Sequence, residues 1–187
     1  MDAQPTLRTS LYVALTLVIA CTIAADVSAK PDRKPPAAAT SLSDTEKQDL
    51  LHMYSEEKVA HDVYVRLGEK WGSRVFANIS ASEARHMNAV AGLLSKYNIT
   101  APTVGMPAGK FSEHWAQDLH DKLVAEGLVS EKNAMRVGVK IEELDIADLE
   151  QPLARTQQSD IRSVYTHLLA GSKNHLAAFN RQLNRGR

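Results

Sequence analysis

The chain has 187 residues, with 22 basic and 22 acidic side chains and a formal net charge of zero. That balance excludes a polybasic surface for nucleic acid or for an anionic membrane as the basis of function. One cysteine, Cys21, excludes an intramolecular disulfide framework and any multi-thiolate metal site, so stability must come from packing and any metal must be held by nitrogen and oxygen.

Residues 1–29 have the pattern of an export signal. Arg8 precedes an apolar run over 11–25, shorter than the roughly 20 residues of a membrane span, and Val27-Ser28-Ala29 is a small-residue cleavage pattern. Val18-Ile19-Ala20-Cys21 offers a second cut, resembling a lipobox, that would lipidate Cys21. The expected location is periplasmic or secreted, with a lipoprotein as the alternative, and no membrane span in the mature form. Losing Asp2, Arg8 and Asp26 leaves 21 basic and 20 acidic residues. Residues 30–42 hold Pro31, Pro35, Pro36 and an alanine-rich stretch; they read as a disordered tether with little to bury. Residues 43–187 have the size of one domain.

Within that domain the periodicity is helical throughout, and the predicted class is all-α. Ser43-x-x-Glu46 is a capping box, and Leu50, Met53, Tyr54, Glu57, Ala60, Tyr64 and Leu67 then recur at helical spacing. Gly68 and Gly72 weaken the end of this first helix. A second, over about 75–97, carries Phe76, Ile79, Glu83, His86, Met87, Val90, Leu94 and Tyr97 on one face. Pro102, Gly105, Pro107 and Gly109 make 98–109 an irregular connection, and a short extra helix over about 112–126 follows it. Ser130 caps the third long helix, striped by Ala134, Val137, Gly138, Ile141, Glu142, Asp145 and Leu149 and closed at Pro152. A fourth, over about 159–183, carries Ile161, Val164, Tyr165, Leu168, Ser172, His175, Leu176 and Phe179. Four long helices with one long connection between the second and third suit a ferritin-like four-helix bundle.

Charged groups stand where the helical period calls for apolar ones. Glu83-Ala84-Arg85-His86 places a carboxylate and an imidazole one turn apart, the E-x-x-H spacing by which such bundles hold two metal ions. Glu57, Glu142 and His175 occupy inward positions on the other helices, and a lone buried charge is too costly to be left unpaired. Glu57 precedes His86 by 29 positions and Glu142 precedes His175 by 33, so each half is a carboxylate helix followed by a histidine helix. This is the layout of a dinuclear centre, with Glu57, Glu83, His86, Glu142 and His175 as candidate metal ligands. Each residue also has a structural reading. Ser80-x-x-Glu83 could be a late capping box, Glu57 could pair with Arg85, Glu142 or Glu143 could belong to a solvated acidic face, and His175 could be a hydrogen-bonded core histidine. His52 and Glu56 read as an exposed i,i+4 pair. Tyr64 and Tyr165 read as core residues.

Several segments together carry a family resemblance. They are Glu56-Glu57-Lys58-Val59-Ala60-His61-Asp62-Val63-Tyr64, Phe76-Ala77-Asn78-Ile79, Ser82-Glu83-Ala84-Arg85-His86-Met87, Ile141-Glu142-Glu143-Leu144-Asp145-Ile146 and Gly171-Ser172-Lys173-Asn174-His175-Leu176. They resemble the domain of unknown function numbered 2202, in the ferritin-like superfamily, over about 43–183. The resemblance implies a site of two iron or manganese ions, or one, on those five ligands. It implies reaction with dioxygen or peroxide, as a ferroxidase or a peroxide-handling oxidoreductase. The alternatives are a non-enzymatic metal-binding or sensing module, or a metal-free helical interaction domain. A homodimer is compatible with the family and is not fixed by the sequence. The family pattern calls for a second E-x-x-H on the last helix, but Ser172 stands three residues before His175, with Asp145 as a candidate substitute one turn along the third helix.

Overall fold

The computed structural model describes residues 41–185, in which five helices and no strand occur. The predicted export signal, both cleavage alternatives and the tether up to residue 40 lie outside the described residues. The helices are α1 (Asp44–Trp71), α2 (Arg74–Lys96), α3 (His114–Gly127), α4 (Glu131–Arg155) and α5 (Ser159–Arg185). None of them is long and apolar enough to cross a membrane.

The capping box at the start of α1 is complete. Ser43 Oγ accepts from the Glu46 backbone N–H, and the Glu46 carboxylate accepts from the Ser43 N–H at 3.0 Å. The same carboxylate accepts from the Thr156 hydroxyl at 2.8 Å, which ties the start of α1 to the end of α4. Arg155 pairs with Asp49 beside it. These ties accompany a departure from expectation: α4 does not stop at Pro152 but continues to Arg155. A proline forfeits one helical N–H bond, but the turn is held from α1 and from Thr156, whose N–H bonds to the Pro152 carbonyl at 3.0 Å. A second departure concerns the tether, because Leu42 at its end is buried in the core rather than free of it.

The four long helices pack in a cycle, α1 on α2, α2 on α5, α5 on α4 and α4 on α1, with α3 laid on α1 and α4. Two apolar clusters fill the interior. One gathers Leu50 and Tyr54 of α1, Val90 and Leu94 of α2, Leu149 of α4, and Ile161 and Leu168 of α5. The other gathers Val63 and Leu67 of α1, Phe76 and Ile79 of α2, Val137 and Ile141 of α4, and Phe179 of α5. Neighbouring helices in the cycle therefore run antiparallel, while α2 and α4, joined through the long connection and α3, run parallel.

The irregular connection is pinned to α1. Lys58 and Asp62 form a buried ion pair one turn apart; Lys58 also donates to the Pro107 carbonyl at 3.2 Å, and Asp62 accepts from the Gly109 N–H at 2.8 Å. As a result α1 has no solvent face in its middle, and every residue from 53 to 60 is buried.

Gly138 lets α5 approach α4 closely: a Cβ there would sit 2.6 Å from the Phe179 ring. Such overpacking typically costs about 1–3 kcal/mol. Gly138→Ala is therefore expected to lower the urea midpoint without changing the slope of the transition; an unchanged midpoint would show that the ring moves aside freely.

Candidate metal centre

Between the two apolar clusters lies one polar layer. Going along α1, Tyr54 belongs to the first cluster and Val59 to the second, and Glu57 falls between them. The same alternation places Glu83 and His86 between Ile79 and Val90 on α2. It also places Glu142 and Asp145 between Ile141 and Leu149 on α4, and His175 between Leu168 and Phe179 on α5. Helical period thus carries all six inward at one level. Glu57, Glu83, Glu142 and Asp145 are wholly buried, His86 is 3 % exposed, and the His175 side chain is 11 % exposed.

The structure brings all five sequence-predicted residues together. His86 Nδ1 lies 2.7 Å from Glu83 Oε2 and 3.3 Å from Glu57 Oε2. His175 Nδ1 lies 2.8 Å from Glu83 Oε1 and 3.5 Å from Glu142 Oε2. Two trios result, Glu57–Glu83–His86 and Glu83–Glu142–His175, the ligand atoms of each lying within 4.8 Å of one another. Glu83 belongs to both and presents one oxygen to each. The two imidazoles stack with centroids 5.6 Å apart.

The structural alternatives for Glu83, Glu57 and Glu142 fail on position. Ser80 is inside α2, its hydroxyl donating to the Ala77 carbonyl, so it caps nothing. Arg85 is exposed, as is Glu143 beside the buried Glu142. Ser172 is buried, but its hydroxyl donates to the Leu168 carbonyl at 3.1 Å, a bond within its own helix. Asp145, the candidate substitute one turn along α4, is the fourth wholly buried carboxylate of the layer, although it belongs to neither trio. Tyr64 is more than a core residue: its hydroxyl donates to Glu142 Oε1 at 2.6 Å. Glu56, expected to be exposed with His52, is 5 % exposed; the covering of α1 described above is the reason.

Four carboxylates face two imidazoles with no lysine or arginine at ion-pair distance among the described residues. Burial, then Asp145 and Glu83, drive the Glu57 carboxyl well above its usual range. Burial, then Glu56 and Glu142, do the same to Asp145. Burial also lifts Glu142 to about 7, despite His175. Burial would raise Glu83 too, but His175 and His86 hold it down at about 2. Burial opposes charge on His175, yet Glu142 and Glu83 raise it to about 9. Burial and the Glu142 charge keep the Tyr64 phenol protonated as a donor.

Both oxygens of Glu57, Glu83 and Asp145, one of Glu142, and Nδ1 of both histidines are buried without an aligned hydrogen-bond partner. Atoms packed this closely yet not aimed at one another converge on shared points between them, as ligands around cations do. Buried polar groups are otherwise nearly always satisfied. The donor set, carboxylate oxygen with imidazole nitrogen and no thiolate, suits iron or manganese. The residues therefore fit a metal centre.

The shifts fix the pH response of the metal-free protein. A group whose folded pKa is raised stabilises below its unfolded value, and that contribution is lost as pH climbs through the folded value. Glu142 loses it from 4.5 to about 7 and His175 from 6.5 to about 9, with Glu57 and Asp145 acting in the same sense. Glu83 opposes them only as pH falls from 4.5 towards about 2. The thermal midpoint of metal-free protein is expected to decline as pH is raised from about 5 to about 9 in calorimetry. A rising midpoint across that window would contradict the assignment.

Comparison with known proteins places the chain in a family. The chain is 48 % identical over 143 residues to the Uncharacterized protein MJ0754 of Methanocaldococcus jannaschii, covering 76 % of this chain and 77 % of the relative. It is also similar to the crystal structure of hypothetical protein MJ0754 from Methanococcus jannaschii DSM 2661. The TM-score is 0.77 and the identity 45 %, with 80 % of this chain and 86 % of the other covered. Residues 46–187 match the family described as Uncharacterized protein domain (DUF2202), and the chain belongs to that family.

Proposed function

We propose that the four long helices form a ferritin-like bundle whose polar layer holds two iron or manganese ions and serves an oxidoreductase acting on dioxygen or peroxide. The observation that carries this reading is Glu83, which presents separate oxygens to His86 and His175 and so joins two ligand trios. Glu57, Glu83 and His86 would hold one ion, and Glu83, Glu142 and His175 the other, with Asp145 supplying the carboxylate that Ser172 does not. When bound, such ions would supply reversible one-electron oxidation and reduction.

The protein's own groups define the rest. Complete burial of the carboxylates restricts the reactant to a molecule of a few atoms. Glu57 and Asp145 hold protons in the metal-free centre and release them when cations replace the protons, because metal ligands must be deprotonated. Tyr64 fixes the orientation of Glu142 through its 2.6 Å bond. A non-enzymatic metal-holding role is the second reading, favoured by one observation: α5 contributes only His175, since the Ser172 hydroxyl is spent on its own helix.

We further infer that the chain acts outside the cytoplasm, on the strength of the apolar run over 11–25 and the Val27-Ser28-Ala29 pattern. Mass spectrometry of the mature amino terminus is expected to begin at Lys30; an unprocessed terminus would refute export, and a lipidated Cys21 would turn the reading to an anchored protein.

Metal analysis of untagged protein is expected to find two ions per chain. Glu57→Gln and Glu142→Gln each lose one, whereas Glu83→Gln loses both because it serves both trios. Oxygen or peroxide consumption by ferrous-loaded protein separates the readings: turnover supports the oxidoreductase, and two bound ions without turnover support the metal-holding module. Unchanged stoichiometry in Glu83→Gln would overturn the site.

A further inference from the structure

A second cluster of metal-ligating groups lies outside the polar layer, on the seam between α1 and α4. His52 Nε2 is 3.7 Å from Glu56 Oε2 and 3.5 Å from Asp148 Oδ2, and one ligand atom from each of the three lies within 4.8 Å of the others. Glu56 carries the argument. It is 5 % exposed, and its Oε2, the atom turned towards His52, is buried without a hydrogen-bond partner. An unsatisfied buried carboxylate oxygen aimed at an imidazole and a second carboxylate is costly unless it takes up a proton or a cation lies among them.

The spacing fits an ion better than it fits direct bonds. At 3.5 and 3.7 Å the contacts are too long for charge-assisted hydrogen bonds, which run about 2.7–2.9 Å. A tetrahedral ion with bonds of about 2.0–2.2 Å holds its ligand atoms roughly 3.4 Å apart. The His52 and Asp148 side chains are 45 % and 42 % exposed and border a surface groove of about 290 Å³, so water can complete the coordination and the ion can exchange. Trp115 lies against His52, with ring centroids 4.4 Å apart.

We propose that His52, Glu56 and Asp148 form an outer binding site for an exchangeable divalent first-row transition metal ion. One imidazole with two carboxylates selects this class over magnesium or calcium, which prefer all-oxygen ligation. The site stands on its own residues and does not require the inner centre to be occupied. It shares the α1–α4 seam with that centre: Glu56 adjoins Glu57, and Asp148 follows Asp145 by one turn.

Trp115 supplies the test, because a paramagnetic ion on His52 quenches the indole packed against it. Metal-free full-length protein is titrated with Co2+ while tryptophan emission and bound cobalt per chain are measured. The variants are Asp148→Asn, which leaves the His52–Trp115 contact in place, and Glu83→Gln, which disables the inner centre. Wild type and Glu83→Gln are expected to quench with the same midpoint. Asp148→Asn is expected to shift that midpoint about 10- to 100-fold and to bind one cobalt fewer. Quenching that is absent in wild type, unchanged in Asp148→Asn, or lost in Glu83→Gln overturns the proposal. Should Glu83→Gln misfold by circular dichroism, the comparison of wild type with Asp148→Asn decides alone. Wild type that quenches as expected but binds only this one cobalt per chain would instead refute only the inner centre.

Discussion

Glu57, Glu83, Glu142 and Asp145 share one dry layer with two imidazoles, and among the described residues no lysine or arginine lies at ion-pair distance from them. A desolvated carboxylate is tolerable only if it is protonated, paired or bound to a cation. Four of them at one level are a liability that packing alone does not offset. The metal-free protein answers with protons, raising Glu57, Asp145 and Glu142 and charging His175. The two apolar clusters on either side supply the stability that lets the layer exist. They also keep water from it, so the charges interact strongly across the gap between helices.

Much of this was legible in the sequence. The inward stripes of α1 and α4 are buried throughout, and on α2 and α5 a few positions, Met87, Val164 and His175 among them, stand partly open. Glu57, Glu83, His86 and Glu142 were readable because a charge on an apolar stripe contradicts its surroundings, and that contradiction survives translation into three dimensions. Asp145 was harder. It stands one turn from Glu142 within an acidic run, where sequence offers equal reason to place it in solvent. Only the position of α4 in the cycle decides its direction.

Glu56 was misjudged for a different reason. It lies next to Glu57 along the chain, about 100° around the helix, and an ordinary amphipathic helix would turn that face to water. On α1 the face is covered because α3 packs there and because Lys58 and Asp62 draw the connection over it. No local pattern announces that a loop some fifty residues away will return to a particular turn. Pro152 shows the same limit: propensity ends a helix there, and tertiary ties from Glu46 and Asp49 carry it one turn further.

Gly171 has a bearing on the two imidazoles. A Cβ at that position would lie 2.7 Å from Cε1 and Nε2 of His86, so the bare backbone of α5 is the wall against which that ring rests. The wall blocks the outer edge of the ring and leaves Nδ1 as the edge offered to Glu57 and Glu83. The His175 side chain keeps a partial opening to the exterior. The two rings therefore differ in their surroundings. His175 is the residue of the layer whose side chain is most open to the exterior, and His86 is enclosed against the backbone of α5.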